Sequence, residues 1–555
     1  MDHMPAIPMG SMPAISRDPF LAARLSRRLP RESARQAQAF LGEIDQAGAE
    51  LDALSFEANA HPPTLRTHDR FGEPLHDVIH HPSYQQLEDF AYGRFGIVSM
   101  LYDPPERRRW GGHARTISAA GSLAFGRYEQ GVLCPLAMTD GAGQVLAAYG
   151  DGVLRDRYLP RLGARGSGRY TAMMFLTERQ GGSDVGAIDS RAQRDGDAWR
   201  LHGEKWFASN AGGDLALVLA RPDGARSGTR GLGLFAVPRT LPDHGRNTFQ
   251  IRRLKDKLGT RSLATGEIEL AGAKGFLVGQ LDAGWKQMAH MVNLSRLYNG
   301  LAAVAIMSRA FAEALAWAEG RQAFGRTIAR YPMVADTLDA LAAELDGAQA
   351  LAFEVVGRFE RIEEGANDAT ERALLRILTP VLKLFTAKRA IWSASEAIEM
   401  LGGNGYVEDF RLSCFYRDAQ VLPIWEGTTN ILVLDTFRAV EKESAHEPLF
   451  DLMRANLSRS PDRYLGERLA EHTDELESAL AGLRGLEGDD WTVPARQWVF
   501  KLAPALEACL LLGEAGLAMD PDRESLVAHA RRLVDAHLEG WTAMGLLARP
   551  QAIRR

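Results

Sequence analysis

Apolar positions along this chain fall into three successive patterns. From Arg17 to about Tyr170 they recur mostly at helical intervals: 36–54 carries Phe40, Leu41, Ile44, Leu51 and Leu54, and 123–146 is rich in Ala and Leu. Between 171 and 284 the period shortens. Runs at 170–176, 199–202, 215–220, 232–237, 249–253 and 266–270 alternate with Gly, Asp, Asn and Pro turns, the signature of a β barrel or sandwich. After Gly284 helical spacing returns, and 285–321 reads as one helix through Met288, Met291, Leu294, Leu301, Val304, Met307 and Phe311. At about 1.5 Å per residue it would exceed ~50 Å. Arg321-Gln-Ala-Phe-Gly325 closes it, and helices follow near 332–363, 368–401 and 430–445; long helices with short links predict a bundle. The expected organisation is a flexible leader at 1–16, where Met-Pro-Ala-Ile occurs twice, an α-helical domain at 17–170 and a β-barrel domain at 171–284. A helical-bundle domain at 285–440 and a C-terminal helical extension at 441–555 complete it. The fold class is mainly α with a central β domain.

Composition narrows the function classes. A net charge of −6 argues against generic nucleic-acid binding, which draws its affinity from phosphate neutralisation. The extension is acidic too, 14 Lys plus Arg against 20 Asp plus Glu over 441–555, a balance of 14 − 20 = −6. Arg24, Arg27, Arg28, Arg31 and Arg35 read as a solvated helix face rather than a phosphate-binding stripe. Three widely separated cysteines, Cys134, Cys414 and Cys509, suit a reducing compartment and give no metal-ligand spacing. No charged-then-apolar leader opens the chain, and the apolar stretch 502–519 is broken by Glu507 and Glu514, so a cytoplasmic protein without a membrane span is expected. His76 and His80 stand at i,i+4, a zinc-compatible spacing, but no third ligand accompanies them and no metal is expected.

Three short stretches carry candidate chemistry. In Leu-Pro-Ile-Trp-Glu-Gly-Thr-Thr-Asn-Ile-Leu at 422–432, Glu426 lies between an aromatic ring and a Gly-Thr-Thr turn, with Thr428 or Thr429 placed to cap the helix that follows. Glu426 is either a base or a carboxylate complementing a helix dipole. The turn Thr-Glu-Arg-Gln-Gly-Gly-Ser-Asp at 177–184 can cradle an anion with backbone N–H groups, or be only a turn. Leu-Gly-Gly-Asn-Gly-Tyr at 401–406 is no dinucleotide fingerprint, because no strand precedes it and the Gly-x-Gly-x-x-Gly spacing fails; a P-loop is also missing.

Taken in order, helices, a β domain opened by the 177–184 turn, and a bundle ending in 401–406 and Trp-Glu-Gly-Thr, the chain resembles the acyl-CoA dehydrogenase flavoproteins over roughly 60–440. The resemblance implies FAD between β domain and bundle, reaching a neighbouring subunit of a homotetramer. It places Thr177 and Ser183 on the flavin ring and pyrophosphate, Phe207 beside the flavin, and the Ser209 hydroxyl on N5. Arg321 and Phe324 would reach the FAD of an adjacent subunit, Gly402 and Gly403 its adenosine end, and Thr428 and Asn430 the dinucleotide. Arg296 corresponds to an arginine near the base, and Glu426 to the catalytic glutamate. The implied reaction abstracts the α-proton of an acyl-CoA or acyl-carrier thioester in a dry site and passes a β-hydride to flavin N5, yielding an enoyl thioester. Electrons would leave to an electron-transfer flavoprotein or to O₂.

Departures point within the family. Arg179 and Gln180 replace the usual Pro-Gly of the first turn, and Pro332 stands where a flavin-contacting glutamine is common. With Leu-Lys-Asp-Lys-Leu-Gly-Thr-Arg-Ser at 254–262, the longer N-terminal region and the extra helices, these changes are similar to the AidB-like (alkylation-response) branch. There the extra helices carry a basic DNA-binding surface and dehydrogenase activity is weak. The acidic extension here does not favour that DNA role. A flavin oxidase is a further reading.

Overall fold

The computed structural model describes residues 19–366 and 368–542; the leader read at 1–16 lies outside them. Two compact units form, one from Met1–Gln46 with Asn299–Arg555, the other from Ala47–Tyr298. The helix Gly284–Gly320 runs unbroken from one into the other, as its apolar spacing predicts. It is also the one stretch among the described residues long and apolar enough to cross a membrane, and most of it is buried within the protein.

In the unit Ala47–Tyr298 the strands are β1 (Thr64–His68), β2 (Pro74–Ile79), β3 (Ala172–Phe175), β4 (Arg191–Asp195), β5 (Ala198–Ser209), β6 (Leu215–Pro222), β7 (Gly233–Pro238), β8 (Phe249–Leu254) and β9 (Thr265–Leu277). β3 to β9 make one sheet in the order β3-β6-β4-β5-β9-β7, and the β6–β7 pairing closes it into a barrel with β8 added on β9. Closure leaves few free edges. β6 and β7 are buried along their whole length, because their neighbours cover both faces. The charged strand β4, Arg-Ala-Gln-Arg-Asp, escapes the hydrophobic pattern since only Ala192 points inward.

The N-terminal part departs from the predicted helices in three places. The stretch 36–54 breaks at Ala47 into Arg31–Gln46 and Gly48–Ala60. Gly48 lies so close to Tyr128 that a Cβ would meet the phenol oxygen at 2.6 Å, a packing demand that periodicity does not carry. The stretch 123–146 is likewise two helices, Ala114–Gly126 and Leu133–Tyr149. Between the helices β1 and β2 form an antiparallel hairpin, so His76 sits on a strand and His80 just beyond it. The His76 Nδ1 meets the Ile251 carbonyl at 3.1 Å, and His80 stacks on Tyr84 with ring centroids 4.1 Å apart. They are not neighbours on a helix face.

In the other unit, Pro332–Glu363 and Ala369–Leu401 pack against each other, and Ala369–Leu401 packs on Thr429–Glu443. The extension adds His446–Leu457, Arg463–Arg484, Thr492–Ala515 and Asp522–His537. Thr492–Ala515 is its centre: it touches all three other extension helices as well as Pro332–Glu363, and the Trp498 indole N–H donates to the Leu476 carbonyl at 2.8 Å. The arginines expected to be solvated divide. Arg24 falls between Leu21 and Leu25 on the buried side of Pro19–Arg28 and is fully enclosed, donating to Asp346 at 2.8 Å, Glu514 at 2.9 Å and Gln349 at 3.1 Å. Arg27 and Arg28 pair with Glu514 and Glu354, and only Arg31 and Arg35 remain exposed. Glu514, one of the acidic groups that set the extension's charge, is therefore paired inside this unit.

Candidate functional site

Within the β-barrel unit, the 177–184 turn is organised by a residue that the motif reading left without a role. Glu178 is buried, and its carboxylate accepts from Lys205 Nζ at 2.7 Å, Ser190 Oγ at 2.6 Å, Asp189 N at 2.6 Å and Ser190 N at 3.2 Å. Burial alone would raise its pKa; the Lys205 charge and these bonds overcome that and hold it at about 2. Burial lowers the Lys205 ammonium in turn, against the pull of Glu178. The pair ties the turn to the middle of β5, and Trp206 N bonding to the Thr177 carbonyl at 2.9 Å adds a backbone link. Thr177 is half-buried and Ser183 exposed. Gly182 is required, since a Cβ there would stand 2.4 Å from the Thr177 hydroxyl, and Gly181 has φ 131°. Arg179, one of the departures, lies 4.8 Å over the Trp206 ring and pairs with Glu204 at 2.7 Å.

Lys205 also fixes the strand that carries Phe207 and Ser209. Phe207 is 57% exposed, an apolar ring presented outward at the end of β5. Ser209 is half-buried, with its hydroxyl 3.5 Å from that of Thr265, its register partner on β9. Arg296, on the long helix, is buried and donates to Asn293 Oδ1 at 3.1 Å.

Within the helical unit, the Glu426 turn is held from the helix Ala369–Leu401. Glu426 is half-buried and has φ 55°, a left-handed conformation unusual outside glycine, and Gly427 follows at φ 107°. Lys383, fully buried in the run Val-Leu-Lys-Leu-Phe, donates from Nζ to the Gly427 carbonyl at 2.6 Å. Two turns earlier on the same helix Arg376 grips Asp435 through bonds of 2.6 and 3.0 Å. Thr428 occupies the N-cap position of Thr429–Glu443, but its side chain makes no capping bond, so the predicted hydroxyl cap is not formed; Thr429 is buried. Asn430 Oδ1 accepts from Arg496 of the extension.

Two further features of this unit face outward. After the long helix ends, Gln322–Ala323 and Arg326–Thr327 pair as a hairpin whose tip is Phe324, 97% exposed at φ 52°. The Tyr331 hydroxyl fastens the hairpin by donating to the Ala323 carbonyl at 2.9 Å, and Arg326 stacks on the Tyr331 ring at 3.9 Å. Arg321 is exposed at its base. Gly402, at φ 61°, and Gly403 are exposed with open space where side chains would lie. Such surfaces, clear of side chains and bearing one aromatic on a braced hairpin, suit contact with a ligand or a second chain.

Sequence reasoning missed Glu178 with Lys205, and Lys383. Lys383 had a signal, a charged residue inside the apolar run Val-Leu-Lys-Leu-Phe; Glu178 and Lys205 lie in polar stretches and had none. The described residues also bring Glu57, His61 and His81 within mutual reach. The rings of His61 and His81 lie nearly parallel, 18° apart, and His81 Nδ1 already accepts from Ser83 N at 3.3 Å. One ion cannot lie in both ring planes, so no metal is assigned there.

Three family models match: the acyl-CoA dehydrogenase C-terminal domain over 282–440, its middle domain over 173–273, and the adaptive response protein AidB N-terminal domain over 6–167. Acyl-CoA dehydrogenase family member 11 of Caenorhabditis elegans is 34% identical over 84% of this chain and 77% of its own length. AidB of Escherichia coli (strain K12) is 35% identical over 81% of this chain and 83% of its own. Among solved structures, C. elegans ACDH-11 in complex with C11-CoA superposes with a TM-score of 0.85 at 31% identity, covering 93% of this chain and 90% of that one.

Proposed function

We propose, from the premise that this chain belongs to the acyl-CoA dehydrogenase family and to its AidB-like branch, that it is an FAD-dependent oxidoreductase acting on the CH–CH bond of an acyl thioester. Members of the family are flavoproteins, and bound FAD would supply the hydride acceptor. The chain's own residues would do the rest. Glu426 takes the α-proton, and Arg296 would serve as the arginine that accompanies the base. Thr177, Ser183, Phe207 and Ser209 would hold the flavin and pyrophosphate, and Gly402, Gly403, Thr428 and Asn430 the remainder of the dinucleotide.

The residues fit the group. The 177–184 turn is glycine-lined and anchored away from its open side by Glu178, and Phe207 stands exposed beside Ser209 on one strand. A second copy would receive Arg321, exposed at the base of the hairpin, and Phe324, exposed at its tip, and so a homotetramer is part of the proposal.

The observation that carries the reading is the Glu426 turn: a carboxylate in a left-handed conformation, fixed through the next carbonyl by a buried ammonium. Strain maintained in this way holds a group in one orientation, which a helix-dipole carboxylate does not need. The C. elegans relative was crystallised with C11-CoA, which supports an acyl-CoA as the thioester. The experiment is anaerobic mixing of the yellow, FAD-loaded protein with acyl-CoAs of varied length and branching. Bleaching of the flavin supports the reading; colourless protein that takes up no added FAD overturns it.

The match to the AidB N-terminal domain favours a second reading, a DNA-associated protection protein with a vestigial site. It requires duplex DNA binding that weakens steeply with salt. An oxidase, by contrast, would release peroxide during turnover.

A further inference from the structure

We infer that Lys257 and Thr265 form a relay that sets the direction of the Ser209 hydroxyl, making them positioning residues for the flavin contact; this rests on the assignment of Ser209 to flavin N5 given above. Lys257 belongs to the 254–262 loop, which sequence comparison marked only as a departure. Its ammonium donates to the Thr260 carbonyl at 2.7 Å, the Leu263 carbonyl at 2.7 Å and the Thr265 hydroxyl at 3.2 Å. These contacts hold a strained loop, for Thr260 has φ 48°. The loop is anchored again where Ser262 Oγ donates to the buried Glu129 at 2.7 Å.

Hydrogen-bond polarity then propagates. An ammonium only donates, so the Thr265 oxygen is the acceptor in its bond to Lys257. Its single hydrogen remains to be given, and Ser209 Oγ stands 3.5 Å away across the β5–β9 ladder. Ser209 thereby accepts, and its own hydrogen is left to point out of the sheet. Without this bias a serine hydroxyl rotates between donating and accepting. A flavin N5 accepts a hydrogen bond in the oxidised form and carries its own hydrogen in the two-electron reduced form, so a hydroxyl held as a donor favours the oxidised flavin. The 3.5 Å step is the longest link of the relay. Thr265 is 5% exposed, so water does not compete for its hydroxyl.

The test measures the two-electron midpoint potential of FAD bound to the full chain, with the visible flavin spectrum as a second readout. Thr265→Val, close to isosteric, should raise the reduced-to-oxidised ratio at fixed potential about tenfold, ~30 mV for a two-electron couple, because Ser209 is then free to accept from the reduced N5–H. Ser209→Ala should do the same, and Thr265→Ser should restore the parental value. The Ser209→Ala/Thr265→Val double variant should match the single ones, because the relay acts through one hydroxyl. Lys257→Met should shift the potential in the same direction; if it fails to fold, Thr265→Val still decides. Parental potential in Thr265→Val alongside a shifted Ser209→Ala overturns the relay while leaving the flavin reading intact. No shift in either overturns both the relay and the role of Ser209. Failure to bind FAD at all overturns the functional reading beneath them.

Discussion

Replacing Lys205 by methionine removes the ammonium and leaves Glu178 buried in the barrel wall. The cost follows from the structure in two ways. Its partners hold the folded Glu178 carboxyl at about 2 against the ordinary 4.5 of a glutamate, a difference that corresponds to about 3 kcal/mol at neutral pH. Breaking one partner of a buried pair independently costs about 3–5 kcal/mol. The three bonds to Ser190 and Asp189 survive the substitution, which places the expected loss near the lower end, ~3 kcal/mol. The sign with pH follows from linkage. A depressed folded pKa contributes stability above the unfolded value, and that contribution is lost as pH falls from about 4.5 toward 2. The difference between parent and Lys205→Met should therefore be largest at neutral pH and narrow in acid. Urea denaturation gives the difference, and hydrogen exchange over 177–209 locates it in the loop and β5. Glu178→Gln/Lys205→Met should recover part of the loss, since no charge is then left buried alone. A loss below ~1 kcal/mol at pH 7, or a gap that stays constant down to pH 3, would refute the argument.

Two other sites give sharp expectations. Burial pushes the His80 imidazole down to about 4, with a Ser262 backbone bond opposing and Lys257 assisting. Its contribution to stability is complete above about 6.5 and disappears as pH falls toward 4, so His80→Gln should flatten the urea midpoint between pH 7 and 4; the span is below ~3 kcal/mol because the ring is partly exposed. Arg321→Ala should weaken FAD retention on gel filtration by about tenfold, typical of losing one charge-assisted bond, with the monomer fold unchanged by circular dichroism; unchanged retention would make Arg321 only a helix end.

Much of this arrangement was legible before any coordinates. The long helix Gly284–Gly320 and the bundle helix Pro332–Glu363 follow from apolar spacing because each buries a continuous stripe. Six of the seven barrel strands begin within two residues of the runs seen in sequence, the pattern being enforced by turn chemistry. What escaped depends on tertiary partners. The need for glycine at 48, beside the break at Ala47, answers to Tyr128, far along the chain. Arg24 is buried because Asp346, Glu514 and Gln349 surround it, which no local window contains. The same holds at the site: the Trp-Glu-Gly-Thr motif is visible as letters, whereas the left-handed turn at Glu426 becomes intelligible only with Lys383 beneath the Gly427 carbonyl. Motif reading thus located the candidate base, and packing supplied the reason it is held in one orientation.

The most direct measurement is the rate of anaerobic flavin reduction by the best acyl-CoA in Glu426→Gln against the parent. Glu426→Gln keeps the shape of the turn and should retain FAD with an unchanged visible spectrum, while the reductive rate falls at least about 10²-fold, the lower end of an acid–base contribution. A variant that bleaches at the parental rate would contradict Glu426 as the base, and a parent that no acyl-CoA bleaches would contradict the dehydrogenase reading itself.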